Sequence, residues 1–457
     1  MTLNATNYSI SKSLFEKIAN AFKSAVKFIH RRGGYKAEYL KEEEVKPLIE
    51  HTYEAFSEAV DFGVKDNVIP EAMKMYLKNN TFVFSGFKTH QQLDRASRLL
   101  HDDDGHVKPF NRFLKDVQSI DKKYNRTYLQ AEYNFAVAST QSAGKWHEFS
   151  QYADRYYLQY RTAKDERVRE EHAILDGITL PMDDEFWNEF FPPNGWNCRC
   201  DVVQVSKKRY EPSNSSEALA RGRAATYKPN ADGVNKAAIF RFNPGKEQRI
   251  FPKKHPYFPK GCGDCELNQY AVGKGKPQCA VCRAFSTTGK NFVEYIALAK
   301  KHNLNMTRFD FSSGGYILTD PGHNFVRIIQ KIKDKEKKDT YTPLHASGDI
   351  EETVANNLCN QGGKVIFQKE KGTGKQIGDI RYKDEDWDIK YCNTFNEETI
   401  RKTIKNASNQ ADNIIFYSDF KEKMIETIKS AANREKAHVN IYFMDQEGNL
   451  IELKKRE

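Results

Sequence analysis

Two groupings of residues in this 457-residue chain carry recognisable chemistry. Cys262-x-x-Cys265 and Cys279-x-x-Cys282 are separated by thirteen residues, the arrangement of a four-cysteine zinc site. Each Cys-x-x-Cys turn lets two thiolates converge on one ion, and Gly261, Gly263, Gly273 and Gly275 permit the tight backbone this needs. A segment so poor in apolar residues needs such a staple to fold. A structural Zn2+ held by Cys262, Cys265, Cys279 and Cys282 is therefore expected, with two reduced thiol pairs as the competing reading. Four thiolates fill a tetrahedral shell, so no catalysis is expected there.

The second grouping is Asp379, with Asp388-Ile389-Lys390 following nine residues later. Strand alternation puts Asp388 and Lys390 on one face, where an antiparallel neighbour would bring Asp379 beside them. Two carboxylates hold a divalent cation, here Mg2+ or Mn2+, and an ammonium orients water or steadies the charge of a phosphoryl transition state. Glu352 on a preceding helix completes the set, and Thr394 is placed to contact a phosphate. Glu352, Asp379, Asp388, Lys390 and Thr394 thus point to metal-dependent cleavage of a phosphodiester, with Asp379 and Asp388 as the magnesium ligands. The bland alternative is an exposed Asp-x-Lys ion pair of a basic α/β domain. Trp387 and Tyr391 are expected as half-buried strand aromatics before base-stacking ones.

A third set runs from Tyr160 to Val205. Arg167, Arg169 and His172 precede Asp176-Gly177, a turn signal at a helix end. Pro192-Pro193 forbids helix and Asn194-Gly195 turns the chain, aiming Trp196 and Cys198-Arg199-Cys200 inward. Cys198 and Cys200 share a face and could join His172 on a metal; the expectation is two small buried thiols in a reduced core, because Cys-x-Cys lacks the two-residue spacing of most structural zinc sites. The run from His101 to His106 reads as an acidic loop rather than a cation site.

These residues need elements to position them. Residues 11–165 read largely as helix, with Leu14, Ile18, Phe22 and Val26, and later Tyr128, Ala131 and Phe135, at helical spacing. Residues 206–260, rich in Lys, Asn and Pro, read as a basic linker with the solvated run PGKEQRIFPKKHPYFPK. FVEYIALAKKHNL predicts a helix, followed by GGYILTD and the very basic IIQKIKDKEKKD. From about Thr342 helices and strands alternate: IEETVANNLCNQ, GKVIFQ, IGDIRY, WDIKYC, NEETIRKTIKNASNQ, NIIFYS, FKEKMIETIKSAANRE and HVNIYFMD. That order predicts a central mixed sheet flanked by helices. The fold class is multidomain α+β, divided as 1–205 mainly helical, 206–260 linker, 261–340 zinc knuckle and connecting region, and 341–457 an α/β domain.

The net charge of +10 favours a polyanionic partner, packaged DNA or an RNA substrate. No apolar run approaches the roughly 20 residues of a membrane span, and MTLNATNYSISKSLF lacks a signal core, so a cytoplasmic start is expected. Six of eight cysteines fall into short-spaced pairs, which in a cytoplasmic chain argues for metal before disulfides.

Arg169, His172, Gly177, the Pro192 to Trp196 run and the Cys198 to Cys200 run resemble the hallmark of the phage Mu F-like minor head (head morphogenesis) family. The likeness extends upstream through FSGFKTHQQL and NRTYLQAEYNFAVASTQSAGKW. It implies a few copies per virion, attached near the portal among other capsid proteins and present in the host cytoplasm during assembly and after delivery. The last quarter resembles PD-(D/E)XK nucleases, with Gly378-Asp379 at the first acidic position and Asp388-x-Lys390 at the second; the superfamily's proline before the first Asp is missing. Within them it is similar to the tRNA-cleaving toxin domains of contact-dependent inhibition proteins, matched by Glu352, Ala355, Leu358, Gly362, Val365, Gln410-Ala411-Asp412 and Ile414-Ile415. That implies an endonuclease acting on tRNA or other RNA, with an immunity protein as a further partner. Two other readings compete: a purely structural portal-associated protein, and a metal-independent RNase of the barnase-EndoU-RelE type with His345 or His438 as its base.

Overall fold

Helix α1 (Lys12–Arg31) starts where the Ser11 side chain accepts from the Leu14 backbone N–H, and it turns Leu14, Ile18, Phe22, Ala25 and Ile29 inward. In the computed structural model the described residues are 9–65, 69–231, 233, 235–258, 286–321, 329–332, 340–343, 346–368 and 378–456. They divide into two units, residues 1–286 and 287–457. The four cysteines of the expected zinc knuckle, and His345, lie outside the described residues.

In the first unit α2 (Lys46–Gly63) packs against α1, α3 (Glu71–Ser97) and α4 (Leu129–Ser150). The chain enters α4 through two short helices, Phe110–Asp116 and Gln118–Lys122, and a π-helical turn. α2 and α4 approach so closely that a Cβ on Gly63 would lie 2.6 Å from the Thr140 Cβ. Between α3 and α4 the Lys88 ammonium, wholly buried, meets Glu132 at 2.6 Å. The Tyr257 hydroxyl donates to the other Glu132 oxygen at 2.7 Å, and the Tyr124 and Tyr257 rings flank Lys88. A buried pair persists only when its remaining donors and acceptors are met in this way.

Helix does not continue to residue 165. It ends at Ser150, and β1 (Tyr156–Arg161) begins after one turn, where the aromatic-rich YYLQYR favours strand. β1 lies between β2 (Thr179–Leu180) and β3 (Asp201–Ser206), antiparallel to both. The connections carry α5 (Glu170–Ala173) and α6 (Phe186–Phe190), and α7 (Ser215–Ala225) follows β3. Leu158, Tyr160, Leu175, Trp187, Phe190 and Val202 share the core.

The stretch 206–260, expected as a linker, is built into this unit as far as it is described. Phe242, Ile250, Phe251, Tyr257 and Phe258 are buried, while Lys254 stays exposed. Phe251 stacks on Phe84 with ring centroids 3.6 Å apart, and Asn80 Oδ1 accepts from the Ile250 and Phe251 N–H groups at 3.0 and 2.8 Å. Its backbone is mostly irregular, so its apolar residues show no period to read.

The second unit opens with α8 (Ser286–His302), β4 (Asn305–Phe309) and β5 (Tyr316–Thr319). A separate hairpin, β6 (Ile329–Ile332) with β7 (Thr340–Pro343), comes next. Then follow α9 (Ala346–Asn360), β8 (Lys364–Phe367), β9 (Ile380–Tyr382), β10 (Glu385–Tyr391), α10 (Glu397–Ala407), β11 (Asn413–Tyr417), α11 (Glu422–Glu435), β12 (Asn440–Met444) and β13 (Leu450–Lys454). Eight strands form one mixed sheet in the order β13-β12-β11-β10-β9-β8-β5-β4. β4 and β5 belong to it, so the sheet begins ahead of residue 341, and β5 runs parallel to β8. Val354, Ala355 and Leu358 of α9 pack on one face against Trp387 and Ile389. Ile400 and Ile404 of α10 and Met424 and Ile428 of α11 pack on the other against Ile414 and Phe416. Among the described residues no helix is long and apolar enough to cross a membrane.

Candidate functional site

Strands β9 and β10 pair antiparallel, Trp387 opposite Ile380 and Asp386 opposite Arg381, which sets Asp379 beside the middle of β10. The backbone approaches closely there. A Cβ on Gly378 would lie 2.5 Å from the Trp387 carbonyl oxygen, so glycine is required at this position. Asp379 turns back to accept the Ile389 N–H at 2.7 Å. Alternation along β10 sends Trp387 and Ile389 toward α9, and Asp388 and Lys390 to the opposite face.

Asp388 is wholly buried, and Lys390 Nζ lies 2.9 and 2.8 Å from its two oxygens. Burial, followed by the neighbouring Asp379 carboxylate, pushes Asp388 up to about 7, with Lys390 opposing the shift. A carboxyl poised there carries a proton that a hard cation could displace. Asp379, Asp388 and Lys390 are thus brought together.

Glu352 is not among them: it is exposed on α9, the helix over the other face, whereas Glu351 is half-buried. Helical spacing from Val354, Ala355 and Leu358 carries that signal, since residue 351 shares their stripe and 352 does not. Thr394 sits in the loop after β10, where its hydroxyl accepts the Asn396 N–H at 3.2 Å, just ahead of α10. Tyr391 is exposed, its hydroxyl donating to Asp419, and Trp387 is buried. His438 is exposed.

In the first unit the third set converges. Asp176 caps the turn by accepting from the Thr162 N–H and hydroxyl at 2.8 and 3.1 Å, and Gly177 has φ +80°. Cys198 and Cys200 are buried, each with its Sγ toward His172 Nδ1, at 3.7 and 3.4 Å. The hydrogen bond from Cys200, with His172 beside it, holds the Cys198 thiol well below the ordinary range. The same bond, with burial, drives Cys200 up. The acidic loop at 101–106 folds around its own backbone, Asp102 Oδ1 accepting the His106 N–H at 2.8 Å.

Residues 107–203, which contain α4, β1, β2, the start of β3 and this cluster, match the protein family described as Phage Mu protein F like protein. The segment is Mu F-like. Over 82 residues the chain is 42% identical to a protein described as capsid assembly protein F of Escherichia phage Mu, covering 18% of this chain and 19% of that one. Over 51 residues it is 39% identical to the Mu-like prophage FluMu F protein of Haemophilus influenzae, covering 11% and 12%. The chain therefore spans less than a fifth of the length of either relative. No solved structure matches it.

Proposed function

We propose that the chain is a minor head protein of a phage, whose Mu F-like unit takes part in head assembly near the portal and whose second unit is a metal-dependent endonuclease. The Mu F-like match over 107–203 carries the first half. The convergence of Asp379, Asp388 and Lys390 on a helix, antiparallel meander, helix and parallel strand supports the second. Asp379 and Asp388 offer the oxygen donors that Mg2+ or Mn2+ takes, and a cation there would neutralise charge on a scissile phosphate. Lys390, partly exposed, supplies the cationic group that faces the substrate. The substrate is tRNA or other RNA, met in the host cytoplasm after delivery from the virion with packaged DNA, and an immunity protein would guard a producing cell. Cys262, Cys265, Cys279 and Cys282 hold a structural Zn2+.

Glu352 favours a second reading, in which unit 2 only binds nucleic acid or a capsid partner, because it faces solvent away from the carboxylates. Full-length protein incubated with tRNA and with duplex DNA in magnesium separates the two. Asp388→Asn and Lys390→Ala should each lower cleavage by about 10²-fold or more. Cleavage undiminished in both variants removes the metal-dependent nuclease, and activity persisting in excess chelator turns attention to His438 and His345 as bases of a metal-independent RNase. The assembly half is tested separately, by detecting the protein in purified heads and its loss from heads when residues 107–203 are deleted.

A further inference from the structure

His172, Cys198 and Cys200 have no part in the nuclease chemistry, yet they form the most closely gathered set of soft donors among the described residues. Their three ligand atoms lie within 4.8 Å of one another, and all three side chains are buried. We propose that they hold a zinc ion, with the fourth tetrahedral position open to the small cavity beside them.

Bond lengths decide the fit. A tetrahedral zinc with Zn–S of about 2.3 Å and Zn–N of about 2.0 Å keeps sulfur and nitrogen about 3.5 Å apart. The two Sγ to Nδ1 distances, 3.7 and 3.4 Å, bracket that value. Both sulfurs lie against the same Nδ1 while hydrogen-bonding to each other, so the three donors already face one point. A zinc ion at that point would be bound by all three.

The surroundings hold the donors in place from both sides. Arg169 donates to the Trp196 carbonyl at 2.6 Å, pinning the turn that leads into Cys198. Arg199, between the cysteines, is clamped by both oxygens of Asp165. Gly195 leaves the space: a Cβ there would come within 3.2 Å of Arg169 Nη1 and 3.9 Å of His172 Cε1. The cavity, about 70 Å³, is lined by the three donors with Arg167, Arg169 and Asn197 among others. That is room for the water that completes a shell of three protein ligands. The ion would tie α5 to the lead-in of β3.

The four cysteines from Cys262 to Cys282 offer a separate four-thiolate site, so the test must distinguish the two. Full-length protein purified from zinc-supplemented cells is compared with the Cys198→Ser, Cys200→Ser double variant by elemental analysis. The variant should carry one ion fewer per chain, not none. Cadmium-exchanged parent protein decides without any variant: its NMR spectrum should contain a resonance in the range of two-sulfur, one-nitrogen ligation, apart from any four-sulfur signal. Absence of that resonance overturns the proposal, as does equal metal content in the parent and a folded double variant.

Discussion

Lys88 and Glu132 form a buried ion pair in the helical unit at which single changes are costly. Both are buried and paired, and Tyr257 completes the carboxylate. Lys88→Met leaves Glu132 buried without its counter-charge and should destabilise the unit by about 3–5 kcal/mol. Replacing Glu132 by Leu in addition should recover much of that loss, because both desolvation penalties then vanish. Denaturant unfolding of the full chain, followed through the transition of the first unit, reads both. At the candidate nuclease site the sensitive backbone position is Gly378. Gly378→Ala forces a Cβ against the Trp387 carbonyl and should cost about 1–3 kcal/mol in the second unit, with a parallel loss of any cleavage as Asp379 moves.

Among the elements, the segment Ile250–Phe258 behaves as part of the helical core. Asn80→Ala removes the acceptor of two buried N–H groups and should destabilise by about 1–3 kcal/mol, measured in the same unfolding transition. The segment also makes the unit acid-sensitive. His255 is buried, its Nδ1 accepts the Tyr257 N–H, and burial followed by the charge of Lys88 lowers its pKa from 6.5 to about 3. The unfolded chain therefore takes up the proton first as pH falls. Stability from this residue is complete above 6.5 and is lost on the way down to about 3, at about 1.4 kcal/mol per pH unit. Thermal melts between those limits should fall less steeply for His255→Phe than for the parent, and identical slopes would assign the acid limb to other groups.

For the whole molecule, the eight-stranded sheet sets where the second unit can be cut. β8 takes its parallel partner from β5, which precedes residue 341. A fragment starting at 341 would expose the β8 edge and lose the α8 side of the core, including the Tyr316 hydroxyl bond to Glu294 at 2.7 Å. Residues 286–457 should be the better-behaved fragment, and 341–457 should aggregate or show reduced strand content, as size-exclusion chromatography and circular dichroism would report.

Much of this was legible in order of residues alone. The period of Leu14, Ile18 and Phe22 marked α1, and alternation along WDIKYC placed Asp388 and Lys390 on one side of a strand, because helix and strand periods depend only on local geometry. The same rule put Cys198 and Cys200 on a common face. The Mu F-like hallmark was also local, a contiguous run from Arg169 to Cys200. Other features depended on which distant surfaces meet. The β5 to β8 pairing, the burial of Phe251 on Phe84, the union of Lys88 with Glu132 and the meeting of His172 with both cysteines join residues 26 to 167 positions apart. No local period encodes such contacts; they are settled when apolar faces and buried polar groups find partners together, and only the tertiary structure shows which partners those are.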